Sequence, residues 1–205
     1  MSDVSHLSDT RVRILDAADT LFRRYGYQKT TMGDLAKVCG MSPANLYRFF
    51  ANKSAIVEEM CTRLLAESDR ALEAIAFDKT SADDRILRMI KHINWYTREC
   101  VLENSQMNDL VMAALSEHWG AIEKHLFRIR ALFRKVIADG IAEGTYPPQD
   151  LDNAAGCLHT AITKFGHPML VAMDAQMCDL AVSVEEMGAF VLRALRQPVP
   201  PSTAA

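Results

Sequence analysis

The sequence predicts an all-α protein: a small N-terminal three-helix unit followed by a larger C-terminal helical region, about nine helices in all. Three observations carry this. Apolar residues recur three and four apart along almost every segment, the period of an amphipathic helix. The breaks between segments fall at Gly, Pro and Ser/Thr/Asp clusters, where helices start and stop. No alternating apolar and polar run is long enough for a strand.

A first helix over about Thr10–Tyr25 puts Ile14, Leu15, Ala18, Leu21, Phe22 and Tyr25 on one face, with Gly26 placed as its left-handed terminal residue. Thr31 and Asp34 make a capping-box-like pair that opens a second helix, closed at Gly40. Ser42-Pro43 supplies an N-cap and a first-turn proline for a third short helix through Phe50, with Leu46 and Phe50 on its buried side. After a break at Asn52-Lys53-Ser54, the pattern Ile56, Met60, Leu64, Leu65, Ala71, Leu72, Ile75 reads as one long helix to about Ala76.

Ser81 and Asp84 cap a helix to about Glu103, and a shorter one covers Gln106–Glu117. An amphipathic helix runs from Trp119 to Glu143 and ends at Gly144. Tyr146-Pro147-Pro148 is a turn. Leu151–Met173 reads as a helix interrupted at Gly166-His167-Pro168, and a Ser183/Glu186 capping box opens the last, to Arg196. The tail QPVPPSTAA has the composition of a disordered segment. The expected division is 1–57, 58–197 and a tail over 198–205.

The chain has 205 residues, 49% of them hydrophobic, enough to bury a core without disulfides. Its five cysteines are scattered, odd in number and without a C-x-x-C pair, as expected in a reducing compartment. The first residues lack the layout of a signal peptide and no apolar run reaches membrane-span length, so a cytoplasmic protein with no membrane association is expected. The net charge of −3 hides an asymmetry: residues 1–57 hold eight Lys/Arg against five Asp/Glu, leaving fifteen against twenty-one in the rest. Only the first segment suits a polyanion.

Three short helices within about fifty residues, the second and third joined at Cys39-Gly40-Met41, have the dimensions of a helix-turn-helix. Small or polar residues, Pro43, Ala44 and Asn45, occupy the first turn of the third helix, where bulk would hold it out of a DNA groove. Tyr47, Arg48 and Lys53 follow, each able to donate to phosphate oxygens.

The stretch TTMGDLAKVCGMSPANLYRFFANKSAIVEEM resembles the helix-turn-helix of the TetR family, T-T-x-x-D-I-A-x-x-A-G-V-S-x-G-x-L-Y-x-Y-F-x-x-K-x-x-L, and the likeness extends back through ILDAADTLFRRYGYQKTT. The resemblance implies a DNA-binding repressor that holds a palindromic operator as a homodimer and releases it on binding a small-molecule effector. It places Thr31 and Lys53 at phosphates and Ser42, Pro43, Ala44, Asn45 and Tyr47 on the groove-facing surface, with Leu35, Ala36, Leu46 and Phe50 in the motif's core. Two residues depart from the pattern. Phe49 stands where a tyrosine or histidine is frequent and Ala51 where a lysine is, so Arg48 is a candidate to supply the lost attraction. The same departures leave open a second reading, a helical small-molecule binding protein with a degenerate motif.

Beyond the motif no catalytic set appears: there is no glycine-rich phosphate loop, no G-x-S-x-G and no H-E-x-x-H, so neither an enzyme nor a cofactor is expected. His118, His125, His159 and His167 are dispersed, and no metal site is expected. Trp95, Met107, Met112, Trp119, Phe127 and Phe165 are large soft side chains of the kind that line an adaptable apolar pocket or fill a core. They make an apolar or amphipathic effector the expectation. Small and apolar residues on the last helices, Leu151, Ala155, Leu158, Ala161, Ile162, Met187, Val191 and Leu195, suit either a symmetric four-helix dimer interface or packing within the monomer.

Overall fold

A computed structural model describes residues 2–102, 119–174 and 182–197. Among them are ten helices and no strand: α1 Ser2–Tyr25, α2 Met32–Val38, α3 Pro43–Tyr47, α4 Lys53–Ala76, α5 Ala82–Leu102, α6 Trp119–Ala142, α7 Leu151–Ala161, α8 Thr163–Gly166, α9 Pro168–Asp174 and α10 Val184–Leu195. None of these helices is long and apolar enough to cross a membrane. The helix expected over Gln106–Glu117 and the tail 198–205 lie outside the described residues.

The expected caps form. Thr31 and Ser183 each close a capping box, with Asp34 and Glu186, and Ser42 accepts from Asn45 N ahead of Pro43. Gly26 and Gly40 take the left-handed conformation, φ 86° and 65°, that a side chain would strain. Three details differ from expectation. α1 begins at Ser2 rather than near Thr10. Tyr25 is 49% exposed, and it is Tyr27, beyond the Gly26 reversal, that is buried edge-on against Phe22. The segment from Leu151 breaks at Ile162 as well as at His167-Pro168.

The described residues fall into two compact units, one of residues up to Ala66 together with those between Cys100 and Glu123, the other of Glu67–Glu99 and those from Lys124 onward. The first has a core of Ile14, Ala18, Phe22, Tyr27, Leu35, Ala36, Leu46, Phe50, Ile56, Val57 and their neighbours. The second is organised on Ile86, Met89, Ile90, Phe133, Val136 and Ile137, joined by Ala155, Leu158, Ile162, Phe165, Val191 and Leu195. Arg85, 3% exposed, is a buried cation among its described residues and donates to Ala76 O at 3.1 Å, Asp139 at 2.5 Å and Glu143 at 3.1 Å. Helix α4 contributes Ile56, Val57 and Met60 to the first core, and Leu72 and Ala76 to the second, without a break.

Candidate nucleic-acid interface

The site begins with how two short helices are held. At the start of α2 the Thr31 hydroxyl accepts from Asp34 N at 3.2 Å, while the Asp34 carboxylate accepts from Thr31 N at 3.0 Å and from its hydroxyl at 2.6 Å. These bonds hold the Asp34 carboxyl below the usual carboxylate range. The helix ends by donating Gly40 N to Lys37 O and Met41 N to Ala36 O, which turns the chain about Gly40. Ser42 then starts α3 within two residues.

On α3, Leu46 is fully buried and Phe50, just beyond it, is 2% exposed. That fixes the roll of the helix. Ser42, Pro43, Ala44, Asn45, Tyr47 and Arg48 consequently all face out, Tyr47 at 51% exposure. Apart from Tyr47 and Arg48 this surface has little bulk, and its amide, hydroxyls and guanidinium are donors a duplex can use. Thr31 and Lys37 are exposed as well. Phe49 packs against the first core and Ala51 is exposed.

Two cations without an obvious sequence signal set the position of this surface. Arg11 of α1 donates to Phe49 O at 2.8 Å, pairs with Glu59 of α4, and lies 4.4 Å over the Phe50 ring. It ties the end of α3 to both neighbouring helices. Arg13 reaches Cys39 O at 3.4 Å, in the turn itself. Both partners lie 26 to 48 residues away in sequence, a separation periodicity does not register.

Lys53, expected at a phosphate, has its ammonium engaged within the protein. It donates to Tyr27 O at 2.7 Å and Thr30 O at 3.0 Å and sits 4.1 Å over the Tyr27 ring. Its charge thus lies one residue before Thr31, at the amino end of α2, and it braces the loop between α1 and α2.

The remaining expected sites are distributed differently from the sequence reading. Of the pocket residues, Phe165 is 5% exposed and belongs to the second core, whereas Trp95 and Phe127 are 55% and 62% exposed. Met107 and Met112 lie outside the described residues, as does the side chain of Trp119. Of the residues assigned to a dimer face, Ala155, Leu158, Ile162, Val191 and Leu195 are interior to this chain at 0–5% exposure, and Leu151, Ala161 and Met187 are partly buried against the same core. A side chain with no accessible surface has none to lend a partner. The outward face of these helices is instead Cys157, Thr160, Ala189, Phe190 and Ala194, bordered by Gly156 and Ala161.

Comparison with known proteins agrees with this geometry. Residues 14–60 match the family model described as bacterial regulatory proteins, tetR family, and residues 82–179 match the tetracyclin repressor-like C-terminal domain. The HTH-type transcriptional regulator YhgD of Bacillus subtilis is 30% identical over 149 residues, 69% of this chain and 74% of its own. The HTH-type transcriptional regulator UidR of Escherichia coli is 36% identical over 63 residues, 31% of each chain. Among solved structures, the SmeT–triclosan complex superposes with a TM-score of 0.66 at 18% identity, covering 96% of this chain and 98% of the other. A transcriptional regulator from Cytophaga hutchinsonii gives 0.65 at 19% identity, covering 90% and 97%. These structures establish the shared fold. The helix-turn-helix, the two family models and the match to YhgD along most of both chains together place this protein in the TetR family of DNA-binding transcriptional regulators.

Proposed function

We propose that the protein is a cytoplasmic repressor that binds a palindromic operator as a homodimer and lets go when a small apolar or amphipathic molecule binds its second unit. The observation that carries the DNA-binding half is the outward set on α3: Ser42, Pro43, Ala44, Asn45, Tyr47 and Arg48 face solvent because Leu46 and Phe50 are locked inside. In this reading Asn45 pairs with a base, Tyr47, Arg48 and Thr31 meet phosphates, and Lys53 positions Thr31 from behind. A single such helix spans too few base pairs for useful selectivity, so a second copy supplies the other half-site. The apolar and small side chains that α7 and α10 turn outward, Phe190 at 56% exposure among them, are the surface it would use.

Release follows from linkage. An effector dislodges DNA only by preferring a conformation in which the paired recognition helices no longer match successive grooves, and operator must weaken effector binding by the same factor. Going from almost wholly competent to almost wholly incompetent requires a differential affinity of about 5.5 kcal/mol. Helix α4, which starts at Lys53 and supplies residues to both cores, is the element proposed to carry that preference. Proteins of this fold have been solved with small aromatic ligands, SmeT with triclosan and RolR with resorcinol. A mobility-shift titration of the protein against its own promoter region is the test: a discrete, salt-sensitive complex of two copies per site is expected, and absence of any preference over unrelated DNA would overturn the reading.

A further inference from the structure

The second unit contains a polar cluster that DNA binding does not use. Helix α4 supplies Ser68 and Asp69, α5 supplies His92, Trp95 and Tyr96, and α6 supplies His125 and Arg128. Ser68 is 2% exposed, and its hydroxyl lies 3.3 Å from His92 Nε2. Asp69 is 9% exposed; His125 Nδ1 is 2.6 Å from one of its oxygens and Arg128 is 3.7 Å from the other. The His92 ring stacks on Tyr96 at 5.9 Å, and Trp95 approaches both rings, at 5.8 and 6.4 Å. Among the described residues no three His, Cys, Asp or Glu side chains converge as metal ligands.

The surrounding core is apolar, with Leu72, Met89, Ile93 and Ile129 on the same helices. Buried polar pairs in such a place return little net stability, and apolar replacements of equal volume often do as well or better. Packing therefore does not account for the cluster. Its charges also limit what it could recognise. Asp69 faces His125 and Arg128, and Arg128 reaches Glu73 at 3.4 Å as well. An anion entering here would meet Asp69, and a cation would meet Arg128. Burial, helped by the nearby His125, pushes the His92 imidazole below its ordinary range, so that ring is neutral at pH 7; burial does the same to His159 on α7. A hydroxyl and a neutral imidazole each both donate and accept.

We propose that Ser68, Asp69, His92 and His125, walled by the rings of Trp95 and Tyr96, form the polar end of the effector site and take an uncharged aromatic molecule bearing a hydroxyl group. This rests on the effector reading above. The flat rings stack on the ligand's ring, the Ser68–His92 pair exchanges hydrogen bonds with its hydroxyl, and Asp69 orients His125. Because Ser68 and Asp69 belong to α4, occupancy acts on the helix that starts at Lys53.

The test uses four probes of one shape: biphenyl-4-ol, biphenyl, biphenyl-4-carboxylate and 4-phenylbenzylammonium, equilibrated with the full chain by dialysis. Biphenyl-4-ol should bind about tenfold more tightly than biphenyl, the effect of roughly one net hydrogen bond, and more tightly than either charged analogue. In Ser68→Ala and in His92→Phe that preference should collapse toward one, with the affinity for biphenyl itself kept. Circular dichroism establishes that each variant folds, and either variant alone decides the outcome. The proposal is overturned if a charged analogue matches the phenol, if the phenol does not bind, or if its preference survives in the variants. An operator mobility shift on the same samples separates the two levels. Phenol preference with operator still held supports the site and sinks the effector reading, whereas operator release without phenol preference sinks the site alone.

Discussion

Replacing Lys53 by methionine keeps most of the aliphatic stem and removes the ammonium, so it isolates what that charge does. In the structure the ammonium donates to two backbone carbonyls, Tyr27 O at 2.7 Å and Thr30 O at 3.0 Å, and lies 4.1 Å over the Tyr27 ring. Tyr27 and Thr30 are buried, at 6% and 2% exposure, so water replaces the lost donor poorly. Taking the lower end of the range for charged hydrogen bonds, about 1.5 kcal/mol each, the two give about 3 kcal/mol. The cation–π contact adds about 0.5–1 kcal/mol for a half-buried pair. At 2–4 °C per kcal/mol for a chain of this size, the 3 kcal/mol alone lowers the melting temperature by about 6–12 °C. Far-UV circular dichroism measures that shift. The log–log salt slope of operator binding, taken at a temperature where both proteins are folded, measures the other role. A phosphate-neutralising lysine removes about one unit of slope, whereas a brace whose N–H groups are engaged by carbonyls removes well under one. Wild-type melting together with a slope one unit flatter would refute the brace and return Lys53 to the phosphate.

Three further outcomes are expected. Asn45→Ala should relax base preference at one position in each half-site, by about 1–3 kcal/mol if the amide makes a bidentate pair with adenine, and a selection on randomised operators would expose an unchanged preference. The Asp34 carboxyl titrates below its unfolded value of 3.8, so its capping contribution is complete above that pH and fades as pH falls through the lower folded value; wild type should lose stability between pH 5 and 3 more steeply than Asp34→Ala, and parallel profiles would count against the cap. Phe190→Glu sets a carboxylate on the outward face of α10 and should convert the proposed dimer to monomer with the fold intact; sedimentation at micromolar concentration showing undiminished dimer would move the proposed interface elsewhere.

Local chemistry was readable from the sequence where a few neighbouring residues decide it. The Thr31/Asp34 and Ser183/Glu186 boxes, the Ser42-Pro43 start and the left-handed Gly26, Gly40 and Gly144 are each settled within four residues. Tyr25 lies on the apolar period of α1 yet is exposed, because the Gly26 reversal hands the buried position to Tyr27. The break at Ile162 has no Gly or Pro to announce it. There the Thr160 and Thr163 hydroxyls bond back to Gly156 O and His159 O, a contact that bends helices and competes with their ladder. Arg11 and Lys53 act across 23 to 48 residues, and a charged side chain in sequence looks the same whether it faces solvent or a buried carbonyl. Ala155, Leu158, Val191 and Leu195 illustrate a different limit: a core and an interface select the same apolar period, and only the packed chain shows which one a residue serves.

The brevity of α3 has a consequence for dynamics. Five residues, from Pro43 to Tyr47, fall far below the length at which a helix persists by itself, because the first turn fixes three residues for a single hydrogen bond. Its order is borrowed from Leu46 and Phe50 in the core and from Arg11's hold on Phe49 O. The amides of Leu46 and Phe50 should therefore exchange with solvent deuterium only when the first unit opens as one cooperative body, on the same clock as buried amides of α1 and α4. Bound operator would slow all of them together, by the factor that mass action assigns to a ligand gripping only the closed form. Reading sequence and staying folded are then a single equilibrium in this unit, and whatever loosens one loosens the other.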